Sequence, residues 1–271
     1  MSLILSTRFD GVPAAPPLPD LSDYTYEREG ANIDFTWYGL DIHPNGTSIY
    51  MVQSEGSSSE RQVALNTPWS VISYGTATAG IANVTNREGC RIRQDDGTSF
   101  WTITNGGTVH KYNLTTPYSL GGSSSVPNIV LSSLAGAGAI TETKGLFIKP
   151  DGTTLWVSSL SNSRLVEFSM NPAWDISTMA YIKTVSFNNC QDIWFNSNGS
   201  RLYYCGGTTV RQYNLVTPWD IDVLGPQIAS LNLTGHVVTA TALTFKPDLS
   251  VLYVMDRGGS GNYQVNQYIA S

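Results

Sequence analysis

The stretch KPDGTTLWV, residues 149–157, opens with an Asp-Gly-Thr triplet of the kind that in some enzymes sets a carboxylate beside a metal or a phosphate. The same phrase recurs along the chain. GLDIHPNGTSIYMV starts at Gly39, GCRIRQDDGTSFWTI at Gly89, GLFIKPDGTTLWV at Gly145, DIWFNSNGSRLYY at Asp192 and ALTFKPDLSVLYV at Ala242. The turn residues align as Gly46, Gly97, Gly152, Gly199 and Leu249, a period of about 50 residues. Beyond each turn comes an aliphatic residue or Phe (Ile49, Phe100, Leu155, Leu202, Leu252), then an aromatic at Tyr50, Trp101, Trp156, Tyr203 or Tyr253. With five aligned copies, Asp151-Gly152 reads as a hairpin turn, in which Asp or Asn before Gly suits the positive φ required. It does not read as an active site.

Each unit continues with a second alternating run, as in RQVALNTPW, VHKYNLTTPY, LVEFSMNPAW and VRQYNLVTPW, that ends in a Pro turn and an aromatic at Trp69, Tyr118, Trp174 or Trp219. A further alternating stretch leads into the next copy. Period-two alternation without helical periodicity describes four short antiparallel strands per unit. Repeated at this spacing, that is an all-β, five-bladed β-propeller with four antiparallel strands per blade. The fifth unit stops at VNQYIAS, before its last strand, and the N-terminal PDLSDYTYEREGANIDF resembles AWDISTMAYIKTVSF from Ala173. The ring is therefore expected to close with an N-terminal strand completing the last blade, so that no sheet edge is left open there. The expected organisation is a Pro-rich arm over residues 1–17 and one propeller over 18–271. Residues 18–35 form the closing strand, and blades start near 36, 87, 142, 190 and 240.

The turn with PDGT-x-LWV, the run V-x-x-Y-x-L and the TPWDI/PAWDIST turn together resemble the Asp-Gly-Thr propeller repeats of bacteria and their phages, relatives in pattern of the YVTN and NHL propellers. The resemblance covers residues 36–271 and the closing strand. It implies a propeller of a group that includes lactonases, lectins, scaffolds and virion adhesins, and fold alone does not choose among them.

Charged residues make up 13% of the chain and hydrophobic ones 41%, with a formal net charge of −6. The rest is rich in Gly, Ser, Thr and Asn, so the surface is held in water by hydroxyls and amides. No basic stripe suggests nucleic acid, and no apolar run reaches the roughly 18 residues of a membrane span. The first residues, MSLILSTRFDGVPAAPP, do not read as a secretory signal. The Asn-x-Ser/Thr triplets at Asn45, Asn83, Asn113, Asn198 and Asn232 are accordingly read as turn chemistry, not glycosylation sites. Cys90, Cys190 and Cys205 match no zinc spacing. Cys190 and Cys205 lie on adjacent expected strands, where a bridge is geometrically possible, but the expectation is buried free thiols acting as small hydrophobes.

The three histidines, His43, His110 and His236, fall at different heights of different blades, against a shared metal site. Propellers run the innermost strand of each blade along the axis, so acids near it could converge. Asp41, Glu88, Glu142 and Asp192 are the candidates for a channel-mouth Ca²⁺ site, with Asn86 and Asn189 close by and Arg87 and Lys144 as competing partners. The loops between second and third strands, marked by Ser54, Asn105, Asn162, Arg257 and Asn262, are the candidate ligand-binding face. Gly46, Gly97, Asp151, Gly152 and Gly199 are structural turn residues. The expected function is non-enzymatic: a head or tail appendage, fibre or decoration protein of a phage-like virion, made in the host cytoplasm, with loops that contact a host-surface glycan or receptor. The arm is expected to dock on other virion proteins, and no cofactor is expected. A metal-dependent, lactonase-like hydrolase using the channel acids, or a lectin, is the alternative.

Overall fold

The computed structural model describes residues 18–30, 36–54, 59–82, 86–258 and 263–271. Residues 1–17, residues 31–35 of the expected closing segment, and Asn262 lie outside the described residues. The N-terminal strand β1 spans Tyr24–Glu29. Blade 1 follows with β2 (Trp37–Ile42), β3 (Ser48–Gln53), β4 (Ser59–Thr67) and β5 (Ser70–Ala82). Blade 2 has β6 (Arg87–Ile92), β7 (Ser99–Thr104), β8 (Thr108–Asn113) and two short pieces, β9 (Ser124–Ser125) and β10 (Ile129–Val130). Blade 3 comprises β11 (Thr143–Ile148), β12 (Thr154–Ser159), β13 (Arg164–Ser169) and β14 (Ala180–Ser186). Blade 4 comprises β15 (Asp192–Phe195), β16 (Arg201–Gly206), β17 (Thr209–Leu215) and β18 (Leu224–Asn232). Blade 5 has β19 (Ala240–Phe245), β20 (Val251–Arg257) and β21 (Tyr263–Ala270).

The chain is thus a five-bladed β-propeller, and its ring closes as the sequence implies. β1 pairs antiparallel with β21, from Tyr24 opposite Ala270 to Glu29 opposite Asn266, and supplies the outer strand of blade 5. The innermost strands β2, β6, β11, β15 and β19 contact one another in sequence, and β19 returns to β2. Blade 2 departs from the four-strand plan. Its outer strand is split into β9 and β10, both paired to β8, across Val126-Pro127-Asn128. Pro127 has no N–H for the ladder, which breaks the strand at that point.

Apolar residues gather in five clusters, each between two neighbouring blades. The repeated aromatics Tyr50, Trp101, Trp156, Tyr203 and Tyr253 are all buried there. Their polar atoms tie blades together: Tyr50 Oη donates to Tyr118 O at 2.8 Å and Tyr253 Oη to Trp69 O at 2.8 Å.

The Pro-turn aromatics have a second, unforeseen use. Trp69, Tyr118, Trp174 and Trp219 all adopt positive φ, between 62° and 67°. Each donates its backbone N–H to the carbonyl of its own blade's turn glycine, Gly46, Gly97, Gly152 or Gly199, and lays its ring where a Cβ on that glycine would sit. A cation or imidazole from the preceding blade covers the ring in turn. His43 lies 4.4 Å from Tyr118, Arg93 4.3 Å from Trp174, Lys149 5.9 Å from Trp219 and Lys246 5.5 Å from Trp69. Blade 5 has no such aromatic, because Pro19 takes its place: Pro19-Asp20-Leu21 corresponds to Trp174-Asp175-Ile176 and Trp219-Asp220-Ile221. Its turn carries Leu249, buried at φ 61°, where the others have Gly. Asp151 accepts from Thr153 N at 2.9 Å and pairs with Lys149 at 2.7 Å, as a turn residue should.

Leu21 and Tyr24 are buried in the blade 4–blade 5 cluster. Deleting residues 18–29 therefore removes core and exposes the edge of β21, and the expected result is loss of a cooperative thermal transition. A truncated chain that melted like the full one would contradict closure by β1.

Candidate functional site

Corresponding inner-strand residues are fixed by register against the buried aromatics. Asp41 faces Tyr50, Arg91 faces Trp101, Phe147 faces Trp156, Trp194 faces Tyr203 and Thr244 faces Tyr253. Two residues earlier stand Gly39, Gly89, Gly145, Asp192 and Ala242. This level is tightly closed: a Cβ on Gly39 would sit 2.9 Å from Gly89 Cα, one on Gly89 3.1 Å from Gly145 Cα, and one on Gly145 2.2 Å from Asp192 Oδ1. Asp192 alone carries a long side chain there, and it is 1% exposed.

Arg91, 5% exposed, crosses the axis to meet it. Its guanidinium donates to Asp192 Oδ1 and Oδ2 at 3.0 and 2.9 Å. It also donates to the carbonyls of Leu40 at 3.0 Å, Cys90 at 2.8 Å and Ile193 at 2.8 Å. Asp192 Oδ2 further accepts from Leu243 N at 3.0 Å. One arginine from blade 2 thereby braces blades 1 and 4, and through Asp192 blade 5. Asp41 is equally engaged, accepting from Ile42 N at 2.9 Å, Ile92 N at 2.8 Å, Thr244 Oγ1 at 3.1 Å and Gln94 Nε2 at 3.3 Å. Burial pushes the Asp192 carboxyl up to about 6 against the pull of Arg91, and raises Asp41 as well.

The four acids expected to converge occupy different levels. Asp41 and Asp192 belong to the brace around Arg91. Glu88 lies toward the other end, accepting from Ser54 Oγ at 3.0 Å and Asn105 Nδ2 at 3.1 Å, with Lys144 Nζ 3.1 Å away. Glu142 is exposed and precedes its strand at φ 48°, a backbone role shared with Asn86 (58°) and Asn189 (53°). The acids stand 5, 9, 10 and 7 residues before their own turn glycines, Gly46, Gly97, Gly152 and Gly199, which accounts for their different levels. Among the described residues no group of three or more His, Cys, Asp or Glu side chains gathers as a metal site.

The candidate loop residues split similarly. Ser54 and Asn105 hold Glu88, as above. Asn162 is exposed, with its amide 3.4 Å from Ser159 Oγ. Arg257 is exposed over Tyr38 at 5.4 Å. All lie beside the starts of the innermost strands, as Ser54 N to Thr36 O at 3.2 Å shows. At the opposite, hairpin-turn end, a cavity of about 370 Å³ opens above the brace. Its floor is Asp41, Arg91 and Thr244. Phe147, Trp194 and Trp174 wall it, and Pro44, Pro150 and Pro247 ring it, with Gln94 and Ser197 at the matching turn positions of blades 2 and 4. Sequence reading missed this site. Its one available signal was the break in repeat identity at the Asp41 level, where two blades supply aromatics and three supply polar groups.

The remaining candidates serve packing. Cys90, Cys190 and Cys205 are free and buried, and burial raises each thiol far above its ordinary range, away from reactive thiolate. His236 stacks on Tyr26 at 3.6 Å. His110 is half-buried near the interblade pair of Arg87 and Glu60, which are 3.2 Å apart. Burial, then the Arg87 charge, lower its pKa to about 4. A depressed histidine favours the neutral native form, so its contribution is present above the unfolded value near 6.5 and is lost as pH falls toward 4. Acidification across that window should lower Tm less in His110→Gln than in the parent; identical pH profiles would contradict it.

No protein-family model matches the chain, and no curated protein is significantly similar to it. Among solved structures, a functionally unknown protein from Desulfotomaculum acetoxidans aligns at a TM-score of 0.54 with 13% identity, over 87% of this chain and 72% of that one. A protein provisionally assigned as a 6-phosphogluconolactonase, from Bacteroides uniformis, aligns at 0.49 with 16% identity, over 86% of this chain and 71% of that one. The first likeness is one of overall fold alone.

Proposed function

We propose that the chain is a non-enzymatic binding propeller carried on a phage-like virion, where it contacts a host-surface glycan or receptor. The observation that carries this reading is the use of the channel carboxylates. Asp41, Glu88 and Asp192 accept from backbone amides, hydroxyls, amides and cations of the protein itself, which is how acids behave when they brace a ring. The charge-poor, hydroxyl- and amide-rich composition and the phage-like repeats favour a particle-borne setting. Many copies on one particle would turn weak single contacts into firm attachment.

A glycan array and whole-cell adsorption with the purified full-length chain test the reading. Saturable binding without turnover of the bound sugar is expected. Divalent-ion-dependent hydrolysis of a lactone would overturn it in favour of an enzyme.

A further inference from the structure

The hairpin-face cavity sets aromatic and proline surface over a polar floor whose groups are already spent. Asp41 accepts from Ile42 N, Ile92 N, Thr244 Oγ1 and Gln94 Nε2. Asp192 accepts from Arg91 and Leu243 N, and Arg91 turns its terminal nitrogens to Asp192 and to inner-strand carbonyls. A buried ligand rich in hydroxyls would find few partners there, and an unpaired hydroxyl is costly to bury. The charge around the cavity is also unbalanced. Asp41, Asp192, Asp95 and Asp96 supply four carboxylates against the two guanidiniums of Arg91 and Arg93. Lysines on the neighbouring turns add no surplus, since Lys149 pairs with Asp151 at 2.7 Å and Lys246 with Asp248 at 2.9 Å. A net negative site with low-dielectric walls favours a cation over an anion.

The walls show where that cation fits. Of the seven tryptophans, five carry a cation of the chain over the ring: Trp37, Trp69, Trp101, Trp174 and Trp219, at 4.3 to 5.9 Å. Trp156 is buried against Phe147, Phe195 and Trp219. Trp194 alone opens on the cavity with no cation over its ring among the described residues. It meets Phe147 edge to face, with centroids 6.2 Å apart and planes at 72°, so the two rings form a corner.

We propose that the cavity binds a quaternary ammonium group of the choline type, seated in the Phe147–Trp194 corner over the Asp41 floor. Such a cation has no N–H to satisfy, so a floor with spent acceptors leaves nothing unpaired. Its charge is met by the ring faces and by the surplus carboxylates. A volume of about 370 Å³ holds the trimethylammonium group with room for the chain attached to it. The inference concerns the hairpin face and stands whether or not the loops at the other end contact a host surface.

Isothermal titration of the full chain with choline chloride at neutral pH tests it. Saturable binding in the micromolar to low-millimolar range is expected for a ligand of this size. The neutral isostere, with a tert-butyl group in place of trimethylammonium, keeps the shape and loses the charge, and should bind at least about tenfold more weakly. Ser197→Arg, at an exposed rim position, places a competing cation at the mouth and should weaken choline binding at least about tenfold with Tm unchanged. Asn162→Arg adds the same charge at the exposed opposite end and should bind as the parent does. Phosphocholine separates the two sources of the group: binding as tight as choline or tighter assigns the site to an esterified headgroup, and weaker binding to the free cation. No saturable choline binding, equal affinity for the isostere, parent-like binding by Ser197→Arg, or equal losses in the two arginine variants would each overturn the proposal.

Discussion

Replacing Arg91 by methionine should cost the ring about 3–5 kcal/mol, the usual loss when one partner of a buried ion pair is removed. Asp192 would keep a desolvated carboxylate without its cation, and the carbonyls of Leu40, Cys90 and Ile193 would each lose a donor. Protonation of Asp192, already pushed up to about 6 by burial, would offset part of the loss at low pH. The defect should therefore be largest above pH 6 and shrink below it. Lysine is no remedy, because one ammonium cannot match a planar fork that donates to two carboxylate oxygens and several carbonyls. Asp192→Asn should rescue the methionine variant in part, since an amide needs no counter-charge. Urea unfolding of the two single variants and the double variant gives the coupling. Additive losses, or an Arg91→Met loss below 1 kcal/mol, would mean that the guanidinium does not brace the blades.

Gly145→Ala should be nearly as damaging, although it adds one methyl group. Its Cβ would sit 2.2 Å from Asp192 Oδ1 and 2.6 Å from Asp192 Cα, so the collision is with backbone and cannot be relieved by a rotamer change. Overpacking of this kind costs roughly 1–3 kcal/mol or more, and here it also disturbs the ion pair. By contrast, Gly75→Ala in the outer strand of blade 1 meets nothing closer than 3.4 Å and should be near neutral. Equal melting temperatures for the two variants would contradict the close approach of innermost strands at the axis.

The repeated elements were legible because each has a local cause. Gly46, Gly97, Gly152 and Gly199 need positive φ, the five aromatics need an interblade slot, and the N-terminal strand supplies what the fifth unit lacks. The axial arrangement was not legible. All four acids fall near the start of an innermost strand, but they stand 5, 9, 10 and 7 residues before their turn glycines, so only Asp41 and Asp192 come together at the Arg91 brace. Arg91 was passed over because its closest partners outside its own blade lie on two others, 51 residues away at Leu40 and 101 at Asp192. The cavity is assembled from two to five residues of every blade, and only the closed ring brings Phe147, Trp174 and Trp194 together.

The account rests on the channel acids bracing the ring and not holding a metal. Its most direct test is thermal unfolding of the chelator-treated chain with and without saturating Ca²⁺ or Zn²⁺. An ion bound at 100 times its Kd would stabilise the fold by about 2.7 kcal/mol, equivalent to a rise of roughly 5–10 °C for a chain of this size. The account predicts an unchanged Tm. A rise of that order, abolished by Asp41→Asn or Asp192→Asn, would contradict it.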